Sequence, residues 1–146
     1  MSSQNSALNT AGSTAVEVDQ TRKICFWIFR GVITVDVLVE SFKAREKHPD
    51  FSYDLDVVAD FTDADLDQYD FVEIEKYMVI AAGQQKKNGR YVRRCAIIID
   101  DPRRRAIFAF FENVAKDGLK SEEALFSTRE EAEAWIDRRR RECGEV

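Results

Sequence analysis

One stretch, Arg93 to Gly118, limits the architecture most: RRCAIIIDDPRRRAIFAFFENVAKDG joins an unbroken apolar run, a sharp stop and an amphipathic pattern. Cys95 to Ile99 shows no polar alternation and is rich in β-branched residues, which predicts a central strand covered on both faces. Asp100-Asp101-Pro102 ends it. The Asp101 carboxylate suits a helix N-cap, and Pro102 suits the first helical position because its missing N–H would have no partner there. A helix is therefore expected from Pro102, with Ile107, Phe108, Phe110, Phe111, Val114 and Ala115 at helical spacing and Gly118 as the stop. A covered strand feeding directly into a helix is one unit of an α/β domain.

The rest of the chain repeats this logic. Met1 to Thr14 offers almost nothing to bury and is expected to be a disordered leader, with a single domain over residues 15–146. Ala15 to Val18 alternates weakly, as an edge strand does, and Ile24 to Phe29 reads as an inner strand ended by Arg30-Gly31. Thr34 can cap a helix whose core stripe is Val35, Leu38, Val39 and Phe42, and Pro49 closes that segment. Asp36 and Glu40 lie toward its start and Lys43, Arg45 and Lys47 toward its end, which complements the helix dipole. A third strand is expected at Leu55 to Phe61, then an acidic loop, TDADLDQYD, then a helix over about Tyr69 to Lys87 with Phe71, Ile74, Met78 and Ala81 inward and a stop over Gln84 to Gly89. Glu123 to Ser127 gives a last strand. Thr128-Arg129-Glu130-Glu131 has the capping-box pattern, and Ala132, Trp135 and Ile136 face inward from the final helix, which ends in Arg138 to Arg141.

The order β-β-α-β-α-β-α-β-α predicts an α/β fold: a mainly parallel sheet of about five strands flanked by helices. Its crossovers should be right-handed, and a ligand crevice should open beyond the carboxyl ends of the strands. This places weight on the third and fourth strands. If they are parallel neighbours, the turns that leave them converge on one groove.

Composition removes several classes. A net charge of -5 argues against a general nucleic-acid binder. Cys25 and Cys95 fall inside expected strands and Cys143 near the end, which makes neither a disulfide framework nor a zinc site and suits a reducing cytosol. No signal peptide and no uncharged apolar run of roughly 18 residues are present, so no membrane span is expected. No nucleophile elbow, Walker loop or dinucleotide fingerprint occurs, and neither a cofactor nor enzymatic activity is expected.

FRGVIT between strand and helix, VVADFTDADL, CAIIIDD and the closing FSTREEAEAWI, together with the element order, resemble STAS-type domains of the SpoIIAA-like branch over about Val16 to Ile136. The resemblance implies a STAS-like α/β fold, a cytoplasmic location and a regulatory or ligand-binding role rather than a catalytic one. Anti-sigma antagonists of this fold carry a phosphorylatable serine in the turn before the helix that follows the third strand. The corresponding turn here, Leu66 to Phe71, contains neither serine nor threonine, so control by phosphorylation there does not carry over.

Arg103, Arg104 and Arg105 sit in the first turn of a helix, where cations oppose the dipole. Binding of an anion would explain them, and so would neutralisation by Asp100 and Asp101 with the side chains splayed into water. Asp60, Asp63, Asp65 and Asp67 imitate the start of a calcium loop, but Gln68 replaces the turn glycine and Ile74 the bidentate glutamate, so a solvated acidic loop is expected and no metal. His48 reads as a helix-end histidine. Phe26, Trp27 and Phe29 read with Phe108, Phe110 and Phe111 as core, the surplus leaving room for a homodimer surface or an apolar pocket. The leading expectation is a non-catalytic module binding a partner protein or a small anionic or amphipathic ligand at Thr62, Asp63, Asp101, Arg103 and Arg104. The alternative is an RNA accessory protein using Arg90, Arg93, Arg94 and Arg138 to Arg141, with Tyr91 for stacking.

Overall fold

A strand points successive side chains to opposite faces, so Ile24 to Phe29, a run that is apolar throughout, must be covered on both sides. The structure, a computed structural model, meets that requirement; it describes residues 11–67, 72, 75, 76, 79, 80, 83, 91–106, 109 and 121–145. Five strands, β1 (Ser13–Asp19), β2 (Ile24–Val32), β3 (Asp56–Asp65), β4 (Arg94–Ile98) and β5 (Glu122–Phe126), lie in the order β1-β2-β3-β4-β5. β1 pairs antiparallel with β2, and every later neighbour is parallel. Helix α1 (Val35–Lys47) links β2 to β3, and α2 (Arg129–Glu142) follows β5. Residues 72, 75, 76, 79, 80 and 83 are helical between β3 and β4, as are 102–106 and 109 between β4 and β5.

A chain that steps in one direction across a sheet keeps right-handed crossovers only by carrying its connecting helices on one face. Val35 and Leu38 of α1 accordingly join Cys25, Trp27, Phe29, Val57, Ala59 and Ile97 in one core, against which Ile80 also packs. With no further strand to reach, α2 covers the other face, where Ala132, Trp135 and Ile136 meet Ile24, Phe26, Val58, Ala96 and Ile98. The strand period therefore splits the aromatic cluster expected from the sequence: Phe26 faces α2, while Trp27 and Phe29 face α1 and Phe29 stacks on Phe61 at 4.3 Å. Phe108, Phe110, Phe111, Val114, Ala115 and Gly118 lie outside the described residues, as do Phe71, Ile74, Met78, Ala81 and residues 84–90.

Cys25 and Cys95 flank Val57 in one cross-strand row, with Cys25 opposite Val57 and Val57 opposite Cys95. Two strand spacings, roughly 9.5 Å, exceed the span of a disulfide. All three cysteines are free, and Cys143 is exposed.

Three boundaries differ from expectation. β1 starts at Ser13 rather than Ala15, since Ser13 and Thr14 pair with Arg30 and Phe29, and Ala11 bridges Val32; residues 1–10 lie outside the described residues. β2 does not stop at Arg30-Gly31, because Gly31 takes φ 78° inside the strand, a conformation without strain only for glycine. β3 does not stop at Phe61. It runs on to Asp65, pairing Asp63, Ala64 and Asp65 with Arg30, Gly31 and Val32, so Thr62 to Asp65 of the expected acidic loop are strand.

Helices α1 and α2 are capped as their sequences demand. Thr34 accepts from the Val37 N–H, and Thr128 and Glu131 form a reciprocal capping box. Thr128→Ala removes the acceptor for Glu131 N–H and should lower the unfolding free energy by about 1 kcal/mol in urea denaturation, whereas Thr128→Ser should leave it nearly unchanged.

Candidate functional site

β3 and β4 are parallel neighbours, and their last paired residues are Asp60 and Ile98. Beyond that point they part. β3 stays with β2, while β4 turns through Asp100 and Asp101 into helical residues. The pairing of β2 with β3 passes from Ile28 opposite Asp60 to Arg30 opposite Asp63, so Phe61 and Thr62 together face Phe29: a β-bulge at the mouth of the crevice. Phe61 and then Ala64 point toward the α1 core, a change of parity that the extra residue imposes.

A cavity of about 380 Å³ fills the gap, lined by Phe61, Thr62, Ala64, Asp65, Leu66, Asp67 and, from the β4 side, Ile99, Asp100, Asp101 and Arg104. Three of the five sequence-named residues, Thr62, Asp101 and Arg104, line it; Asp63 and Arg103 do not. Thr62 is fixed by the Asp60 carboxylate, which accepts from its N–H at 2.9 Å and its hydroxyl at 2.5 Å. Asp101 caps the helical residues by accepting from the Arg103 N–H at 2.9 Å. That cap occupies the helix start, where an external anion would have to bind.

The three arginines diverge. Arg104 Nη2 donates to Asp67 at 2.9 Å across the crevice and its buried Nε has no partner, whereas Arg105 donates to Ser127 at 3.0 Å beyond β5 and Arg103 is exposed. Leu66 is buried and Asp67 exposed; residues 68–71 lie outside the described residues. The lining holds four aspartates against one arginine, so its field favours cationic or hydrogen-bond-donating groups. Among the described residues no cluster of three His, Cys, Asp or Glu side chains could hold a metal ion, and Asp63 and Asp65 lie on extended strand.

At the opposite end of the sheet the sequence reading missed a buried charge network. Arg94 is 1% exposed and Asp56 4%. Asp56 Oδ2 accepts from Arg94 Nη1 at 3.1 Å and from Arg140 Nε at 2.8 Å, while Arg140 also donates to the carbonyls of Arg22 and Lys23. Arg94 Nη2 and Arg93 Nη1 share the Glu145 carboxylate, the latter at 3.0 Å. Burial pushes the Asp56 carboxyl above its ordinary value, and the Arg140 hydrogen bond and the charges of Arg94 and Arg140 offset this only in part. For Glu145 burial also acts upward, but Arg94 and then Arg93 reverse it and hold the group below the ordinary carboxylate value. Arg139 pairs with Glu122 and Glu142, and Arg138 with Glu142. Arg93, Arg94 and Arg138 to Arg140 of the RNA reading are thus bound to carboxylates within the chain. Arg90 lies outside the described residues.

Arg45 was also missed. Only 5% exposed, it lies in a cage of Trp27, Phe42 and Phe51 rings 4.7 to 5.1 Å from its guanidinium carbon. Cation–π contacts of this kind replace part of the lost hydration. Beside it Cys25 is fully buried, and burial pushes its thiol up to about 11 although the Arg45 charge pulls the other way, so it stays protonated at neutral pH. His48 ends α1 as expected, its Nδ1 accepting from the Asp50 N–H at 3.1 Å.

Together these features define a mainly parallel α/β domain with a crevice beyond the carboxyl ends of two adjacent central strands. The fold is SpoIIAA-like: the chain is similar to a crystal structure of a protein of the DUF3478 family with a SpoIIAA-like fold from Shewanella loihica PV-4, with a TM-score of 0.54 and 16% identity over 86% of this chain and 95% of that one. No protein-family model matches the chain, and no curated protein matches it. Among the described residues no helix is long and apolar enough to cross a membrane.

Proposed function

We propose that this chain is a non-catalytic regulatory or ligand-binding module whose site is the crevice between the exits of β3 and β4. The observation that carries the reading is the parting of two parallel neighbours at Asp60 and Ile98, which leaves Thr62, Asp101 and Arg104 around one cavity. Crevices of this kind, outside the carboxyl ends of parallel strands, are where open α/β sheets take their ligands. The STAS-like resemblance of the sequence supports a regulatory role, exercised in the cytoplasm. Four carboxylates against one already engaged guanidinium favour a partner side chain or amphipathic small molecule that presents a cationic or donor group, and disfavour a free anion.

Native mass spectrometry of the gently purified protein tests this. Wild type is expected to retain a bound small molecule or partner, and Thr62→Arg, which fills the mouth of the cavity, to lose it while shifting stability by no more than about 0.5 kcal/mol as exposed substitutions do. An unadorned wild-type mass, or an adduct equally present in Thr62→Arg, would move the site elsewhere.

A further inference from the structure

At the amino-terminal end of the sheet two guanidinium groups converge on one aspartate. Arg94, almost fully buried, and Arg140 both donate to the single oxygen Asp56 Oδ2, so one carboxylate serves two guanidinium groups. A buried cation left without compensation is strongly unfavourable, so the recess needs a second anionic oxygen. Glu145 supplies it. Gly144 takes φ 71° and donates to the Arg141 carbonyl, and the Glu145 N–H donates to that of Arg140, a Schellman closure that turns the chain off α2 and back over the strands. Glu145 Oε2 thereby meets Arg93 and Arg94 at once, as the oxygen of a bound ligand would.

This carboxylate lines a cavity of about 300 Å³ together with Lys23, Tyr53, Asp54, Asp56, Arg93 and Arg140, three cations beside three carboxylates of which Glu145 is one. That volume is at the small end of organic-ligand pockets. The Arg94 Nε is buried and unpartnered, a further sign that the recess is not fully satisfied by its own residues.

We propose that this recess is an oxyanion-binding site in which Glu145 is a resident, displaceable ligand, and that a phosphate or carboxylate group of an external molecule takes its place on Arg93 and Arg94. Arg93, whose side chain is 68% exposed, is the point of first contact. The resident carboxylate competes with any incoming anion, so the apparent affinity for an external oxyanion is lowered by the fraction of time the recess stands open.

The test uses the full chain and inorganic phosphate, titrated at constant ionic strength with chloride as the balancing anion and followed by the amide resonances of Lys23, Arg93 and Arg140. Glu145→Gln should saturate at a phosphate concentration lower by about tenfold or more than wild type, because occupation by the carboxylate is gone. Adding Arg93→Ala should reverse that gain. Acetate in place of phosphate separates the sources: an equal response assigns carboxylate recognition, and a response to phosphate alone assigns a phosphate group. The melting temperature gives a second readout, and that of Glu145→Gln should rise with phosphate more steeply than that of wild type. Equal titrations for wild type and Glu145→Gln, or a response unaffected by Arg93→Ala, would overturn the proposal.

Discussion

Asp56→Asn is expected to lower the unfolding free energy by about 3–5 kcal/mol, the loss that follows when one partner of a buried ion pair is removed and the other charge stays behind. Asp56 is 4% exposed and Arg94 1%, so water cannot take over the hydration that the carboxylate replaces. The same oxygen also receives Arg140 Nε at 2.8 Å, so the substitution loosens α2 from the strand ends as well as orphaning Arg94. The physical claim is sharper than the size of the loss. Because desolvating two charges consumes most of what their attraction returns, replacing both Asp56 and Arg94 by apolar residues of similar size, Asp56→Leu with Arg94→Met, should be less harmful than Asp56→Asn alone. Urea denaturation of the two single variants and the double variant decides it. A double variant less stable than Asp56→Asn would mean that the pair contributes net stability and that the recess is built for strength rather than charge.

The contrast between the two ends of the sheet shows which structural information a linear reading holds. β4 was legible because Cys95 to Ile98 are all buried and need nothing from elsewhere to look apolar, whereas Arg94, buried at its start, does not. The crevice followed from that run by topology alone, since parallel neighbours must leave their ligand site at the carboxyl ends. Which side chains enter it was harder to foresee. Asp63 is set aside by the bulge opposite Phe29, which shifts the face of every later β3 residue by one position, and successive helical residues turn by about 100°, so Arg104 faces the crevice and Arg103 does not. Polar composition hid the last four residues of β3, three of which pair with the end of β2, a tertiary fact. Arg94 and Asp56 lie 38 positions apart and meet only once the register of β3 and β4 is known. Arg45 did leave a trace. It follows Leu38 and Ser41 at spacings of three and four, on the buried stripe of α1, but its charge suited the helix dipole equally well.

Trp135→Ala should be the other large loss, about 3–5 kcal/mol, as for other large aromatic truncations in a core. Trp135 is 7% exposed, lies 5.6 Å from the Phe126 ring and packs with Ala132 and Ile136 onto the face of the sheet that α1 does not touch. Its layer shares β2, β3 and β4 with the layer beneath α1, each strand giving alternate residues to both. A cavity under α2 should therefore lower the stability of the whole domain rather than release α2 alone. The chain has two tryptophans, so in Trp135→Ala the fluorescence of Trp27 reports on the α1 face by itself. Urea transitions followed by that fluorescence and by far-ultraviolet circular dichroism should shift together and remain superimposed. A Trp27 transition left at the wild-type midpoint while helical signal is lost earlier would show that α2 docks as a separate unit. Glu145 would then lose its hold on Arg93 and Arg94 whenever that helix lifts, without unfolding of the sheet.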